Sequence, residues 1–306
     1  MGAVVAKGDG SQAGGAAVRQ QQQQQQQQPE VAVFKTARSG STWLATLLRS
    51  QMRLAVHDEI IHASSGESTP TLELTTKMRA KLLRGESFTV NPKNTPCVNY
   101  TDVVASVPGV RVVAFERCNT IKHALSYLRT PAVANACGGV KSRNCKTLPA
   151  VEAFTPFEFR NAIVCTYERS ALARHAAAST GLPVHEVIYE SLQRDVSAEL
   201  NRLSPFLLTG RLGGKPRRKL VSKTGSDNVS SLLLNPRELR GMLAPYSCLL
   251  ELFEDTDSGR CLRCPNPWPD VACDREQFEK YAFSAPALHS SCKNASSQRW
   301  PSRAAL

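Results

Sequence analysis

The sequence predicts an α/β fold, a doubly wound parallel sheet with helices on both faces, and two stretches of the chain carry that prediction. In residues 31–50, Val31, Val33 and Phe34 form a short apolar run of the kind a buried strand makes, and Trp43, Leu44, Leu47 and Leu48 follow at helical spacing. In residues 110–129 the order recurs: Val110, Val112, Val113 and Phe115, a polar turn at 116–120, then a helix over 121–128. Strand, polar turn and helix in alternation are the parts of βαβ units, whose crossovers lay helices on a parallel sheet. Ligands of such sheets bind at the carboxyl edge where neighbouring connections diverge. The crevice is therefore expected between the strands ending at Phe34 and Phe115.

With 306 residues and 42% hydrophobic content, the chain suits one large domain with appendages. Residues 1–30 are Gly/Ala-rich and end in a glutamine run, too poor in apolar area to offset ordering entropy, so disorder is expected. Residues 31–255 carry the strand and helix alternation, and 256–306 form a Cys/Pro/Ser-rich extension. A formal charge of +12 favours anionic partners. No RNP or zinc-finger signature accompanies it, so nucleic acid is not expected. No apolar run approaches membrane-helix length, so no transmembrane segment is expected.

Ten cysteines are many for a cytosolic enzyme, and Cys248, Cys261, Cys264, Cys273 and Cys292 crowd the end of the chain. Cys261 and Cys264 make one C-x-x-C where a structural zinc site commonly has two. Disulfides rather than a metal are expected, and with them the secretory pathway or Golgi lumen. Glycosylation sequons at Asn99, Asn228 and Asn294 agree. The first residues lack an apolar signal-peptide core, so this reading needs a leader ahead of Met1. The cytoplasm is the alternative.

Taken in order, residues 37–42 are small and polar, hinged on Gly40. A strand-to-helix turn of this kind aims backbone amides and a helix N-terminus at one point, which favours phosphate or sulfate. Ser41 and Thr42 add hydroxyls, and Arg38 adds a planar fork for oxyanions. The plain alternative is a helix capped by Ser39 or Ser41. A nucleotide-triphosphatase P-loop is disfavoured, because no glycine stands five residues before Gly40 and no lysine precedes Ser41.

Residues 53–62 hold His57, Asp58, Glu59 and His62, any of which could take a proton near the carboxyl edge. A histidine suits that task unaided, whereas a carboxylate needs burial to raise its pKa. A helix is expected over 68–85, with Leu72, Met78, Leu82 and Leu83 as its apolar side. Residues 88–107 read as irregular and as part of an acceptor cleft. In the second turn, Arg117 adds a cation, and Lys122 and His123 enlarge the positive field. Two adjacent turns could thus hold both anionic ends of one ligand. Cys137 and Cys145 bracket a Gly-Gly loop that a disulfide could close. A long helix over 154–179, a strand over 184–188 and a helix over 195–208 complete the pattern, followed by a basic loop at 211–223.

The run Thr36-Ala37-Arg38-Ser39-Gly40-Ser41-Thr42-Trp43-Leu44 resembles the 5′-phosphosulfate loop of sulfotransferases, which use 3′-phosphoadenosine-5′-phosphosulfate (PAPS) as sulfuryl donor. Arginine at position 38 is similar to the carbohydrate-directed and bacterial-type branch; the cytosolic branch carries lysine there. The resemblance implies a P-loop-like form of the doubly wound sheet and an enzyme that sulfates a hydroxyl, with a sugar as the favoured acceptor. It places the donor's 5′ end at Arg38, Ser39, Gly40, Ser41, Thr42 and Trp43, and its 3′-phosphate at Arg117 and Ser126. These last two stand nine residues apart, one more than the family's commonest spacing. It further implies Tyr189 at the adenine, and Lys223, with Arg217 and Arg218, in a closing basic loop. Residues 226–242 resemble the family's completing helix. Glu59 is the implied catalytic base, with His57 and then His62 as alternatives, and Arg38 also steadies the leaving phosphate. No metal is required, because fixed cations and amides supply the positive charge. The competing readings are a divergent P-loop kinase or ATPase and a non-enzymatic basic protein that binds polyanions.

Overall fold

The structure, a computed structural model, describes residues 29–57, 71–95, 98–105, 107–137, 152–207, 228–256 and 260–281. The N-terminal glutamine run lies outside these residues, as do Glu59, His62, Cys145, Arg217, Arg218, Lys223 and Cys292.

Strand β1, Val31–Lys35, is buried at every position, as a strand covered on both faces must be. Helix α1, Ser41–Gln51, follows and buries Leu44, Leu47 and Leu48. A two-residue strand β2, Val56–His57, precedes helix α2, Thr71–Leu83. Leu74, Met78 and Leu82 fall four apart on α2 and are buried, whereas Leu83 is 67% exposed at the last turn instead of joining that side. Strand β3, Ser87–Val90, a short 3-10 turn at Pro92–Asn94 and helix α3, Tyr100–Ala105, come next.

Strand β4, Arg111–Glu116, leads into α4, Thr120–Leu128, and α5, Thr130–Cys137. Helix α6, Pro156–Ala178, starts at a capping box of Thr155 and Glu158 with proline in its first turn, which accounts for a long helix beginning where it does. Strand β5, Val184–Ile188, runs directly into α7, Tyr189–Arg194, and α8, Val196–Phe206. Helices α9, Pro236–Leu243, α10, Ser247–Glu254, and α11, Arg275–Glu279, follow. None of these helices is long and apolar enough to cross a membrane.

The five strands are all parallel, in the order β2-β3-β1-β4-β5. Ala32 and Phe34 face a cluster with α2, α3 and the end of α6, while Val31 and Val33 face α1, α7 and α8. The sheet thus carries helices on both faces, as expected. After β1 the chain moves toward β2, and after β4 toward β5, so the switch point falls between β1 and β4.

The described part of residues 88–107 is not irregular throughout. Phe88 and Val90 belong to β3, which sits between β1 and β2, and α3 follows. The strand is four residues long and alternates Ser, Phe, Thr and Val, too short a run to stand out, and its pairing on both sides supplies what the local pattern lacks. The helix expected over 226–242 begins only at Pro236, after a 3-10 turn at Ser230–Leu232 and a bridge from Leu233 to Glu152. The residues leading up to the expected Gly-Gly loop are helical, since α5 runs to Cys137.

Cys118–Cys261, Cys165–Cys273 and Cys248–Cys264 are disulfides. Cys261 and Cys264 therefore take different partners, and the cysteine-rich end is bolted to the turn after β4 and to α6. There it joins α4, α6, α9 and α10 in a further apolar cluster containing Phe159, Phe253 and Phe278.

Candidate functional site

The first turn folds around two residues in the left-handed region, Arg38 at φ 58° and Gly40 at φ 90°, on either side of Ser39. Such alternation rotates successive amides toward a common point. Ser39 is buried and donates its hydroxyl to Thr36 O at 2.7 Å, bracing the turn from inside. Helix α1 starts after Gly40 with no side-chain cap. Trp43 N and Leu44 N both reach back to Gly40 O, at 2.9 and 3.4 Å. Among the described residues, nothing accepts from the amides of Ser41 and Thr42, the leading donors of the helix. The plain capped-helix alternative is absent here.

Arg38 is half-buried, and its Nε donates to Ser126 O on α4 at 3.3 Å. No carboxylate among the described residues pairs with it. Burial, and beyond it the charge of Arg117, lowers its pKa from the ordinary arginine value. A guanidinium held in this way favours an anion.

The second turn is built differently. Asn119 caps α4 by accepting Lys122 N at 2.8 Å. The buried Glu190 carboxylate accepts Cys118 N through Oε2 at 2.8 Å and Asn119 N through Oε1 at 3.1 Å. An internal anion thus fills the place that a ligand phosphate takes at an open helix start. This turn offers a ligand the Arg117 side chain, while its Cys118 and Asn119 amides are already taken. Arg117 lies over the Tyr189 ring at 4.9 Å, with Nε 3.7 Å from Glu190 Oε1 and no hydrogen bond to that nitrogen. Its side chain is 14% exposed.

Tyr189 joins the two turns. Its ring meets Trp43 edge-on at 5.7 Å and lies against Gly40 so closely that a Cβ there would sit 2.5 Å from its Cε2. Glycine is required at position 40 by both conformation and space. His123 is a second tie: it is buried on α4, with Nε2 at 2.9 Å from Ala37 O and 3.3 Å from Thr36 Oγ1. Burial first, and then the Arg117 charge, push its pKa down to about 3, so the ring is neutral and donates from Nε2 to Ala37 O. His123 therefore adds no charge to the field, contrary to expectation, and serves to hold the first turn. Lys122 contributes little outward field either, being buried and 3.6 Å from Asp255 Oδ2.

Arg38, Ser39, Gly40, Ser41, Thr42, Trp43, Arg117, Ser126 and Tyr189 are thus gathered at one edge. His57 is not. It pairs in register with Phe88, which is level with Ala32, and β1 runs three more residues to Lys35, about 10 Å, before the first turn begins. His57 Nε2 instead faces Glu86 Oε2 at 3.2 Å. Glu59 and Lys223 are outside the described residues. Glu190 and His123 were missed as parts of the site. A buried-looking acid directly after an apolar strand was the available signal for Glu190.

No family model matches the chain, and no curated relative matches it in sequence. Among solved structures it is similar to a sulfotransferase from Alicyclobacillus acidocaldarius, at 14% identity and TM-score 0.34 over 78% of this chain and 98% of that one. It is also similar to the sulfotransferase domain from the curacin biosynthetic pathway, at 13% identity and TM-score 0.39 over 89% and 97%. A third is the sulfotransferase domain from the Synechococcus PCC 7002 olefin synthase, at 12% identity and TM-score 0.33 over 85% and 89%.

Proposed function

We propose that this chain is a PAPS-dependent sulfotransferase that moves a sulfuryl group to a hydroxyl, with a sugar hydroxyl as acceptor. The observation that carries the reading is Arg38: a half-buried cation with no carboxylate partner among the described residues, beside the open amides of Ser41 and Thr42. Arg117, the second cation, stands across the Tyr189 ring at the adjacent strand end. Two cations at adjacent strand ends suit a ligand that is anionic at both ends.

The residues present fit such a donor. Arg38 and the α1 amides hold the 5′ end and stabilise charge that develops on the leaving phosphate. Arg117, with Ser126 on α4, takes the 3′-phosphate. Tyr189 supplies an apolar wall for the adenine. The donor brings an activated sulfuryl group, and the chain's task is to orient it, exclude water and receive the acceptor proton. Glu59 is assigned as the base, and Lys223 is assigned to the closing basic loop.

Residues 31–255 form the catalytic unit, with 256–306 as an extension whose part at 260–281 is tied back by disulfides. Those bridges support a secretory or Golgi location, as does the exposure of Asn99 and Asn228 in their sequons.

The test is equilibrium binding of 3′-phosphoadenosine-5′-phosphate. Arg38→Ala and Arg117→Ala each remove charge-assisted bonds, and a loss of about a hundredfold is expected from each. Unchanged affinity in both variants overturns the proposal. A preference for ATP with magnesium in competition would favour a kinase. Steep salt dependence without turnover would favour a polyanion-binding protein.

A further inference from the structure

Glu190 is 2% exposed, yet it is charged and lies at the junction between the two turns. Its oxygens are spent on Cys118 N and Asn119 N, and Oε1 also faces Arg117 Nε at 3.7 Å. Those contacts reach back about seventy residues along the chain, to the turn that carries the second cation. The preceding residue, Tyr189, lies against Gly40 on one side and beneath Arg117 on the other. An acid buried here has two consequences. It fixes the backbone from which Arg117 springs, and it denies the Cys118 and Asn119 amides to any other anion. A phosphate at this strand end depends on the Arg117 side chain, whose direction the carboxylate sets.

Resting on the sulfotransferase reading above, we infer that Glu190 is the positioning residue that aims Arg117 and thereby gives the site its preference for nucleotides bearing a second, remote phosphate. The chemical class it selects is an adenosine phosphorylated on both the 5′ and 3′ sides of the ribose. Glu190 does not touch the ligand; it acts through Arg117. Glutamine at this position keeps the shape but removes the charge, and only its single oxygen can accept from the two amides.

The experiment compares dissociation constants for 3′-phosphoadenosine-5′-phosphate and for adenosine 5′-phosphate, in wild type, Glu190→Gln and Arg117→Ala. Wild type is expected to prefer the bisphosphate by about a hundredfold, the same factor that Arg117→Ala is expected to remove. Glu190→Gln is expected to collapse that ratio toward the Arg117→Ala value while adenosine 5′-phosphate binds within about threefold of wild type. A preserved ratio overturns the inference, and so does parallel loss of both ligands, which is what a merely structural role produces. If Glu190→Gln does not fold, Glu190→Asp carries the test: it keeps the charge but withdraws it by one methylene, and an unchanged ratio there also overturns the inference. Wild type that binds neither nucleotide refutes the sulfotransferase reading itself, an outcome distinct from wild-type preference that survives at Glu190→Gln.

Discussion

Replacing Gly40 with alanine probes the first turn without altering any charge. Gly40 sits at φ 90°, and a Cβ there would stand 2.5 Å from Tyr189 Cε2 and 2.6 Å from Cδ2. The left-handed backbone costs an ordinary residue about 1–2 kcal/mol. The methyl must also displace a ring that is stacked under Arg117 at 4.9 Å and edge-on to Trp43 at 5.7 Å. Overpacking of that kind costs about 1–3 kcal/mol, for a total of about 2–5 kcal/mol. In a domain of this size the melting temperature should fall by about 5–15 °C, measurable by calorimetry. Tyr189→Ala frees the space, so adding it to Gly40→Ala should return the packing share and leave the backbone share, a positive coupling of about 1–3 kcal/mol. If Gly40→Ala melts with wild type, or if the two changes simply add, the account of this turn is wrong.

The His123 ring stays neutral when folded down to about pH 3, whereas in the unfolded chain it takes up a proton below about 6.5. Its contribution to stability is therefore complete above about pH 6.5 and declines as pH falls toward about 3, by up to about 1.4 kcal/mol per pH unit. Urea titrations at about pH 7, 6 and 5 should show that slope in wild type and a shallower one in His123→Asn. Removing the Cys165–Cys273 bridge, which spans a separation of 108 residues, with paired alanines should cost about 2–5 kcal/mol. A melting temperature that is indifferent to this change would count against the bridge, as would peptide mapping that recovers either cysteine as a free thiol.

Much of the sheet was open to reading because β1 and β4 are apolar runs buried on both sides, a pattern that survives without neighbours. The first turn was readable for a similar reason: Arg38, Gly40, Ser41 and Thr42 act through local backbone geometry. β3 was not readable, since its four residues become a strand only between β1 and β2. The second turn looked like a repeat of the first in sequence, and nothing local distinguishes them. The difference comes from Glu190, more than seventy positions away, whose carboxylate occupies the amides of Cys118 and Asn119.

By itself, then, the amino-acid order determined the α/β class and the strand-turn-helix form of the segment after β1. These follow from hydrophobic periodicity and from short-range backbone preference, both written within a dozen residues. Tertiary structure alone decided that an internal acid occupies the Cys118 and Asn119 amides of the second turn. It also decided that His123 is an uncharged brace and that the late cysteines bond back to the turn after β4 and to α6. Those outcomes depend on which groups burial brings within hydrogen-bonding or bonding distance, and that is a property of the packed chain.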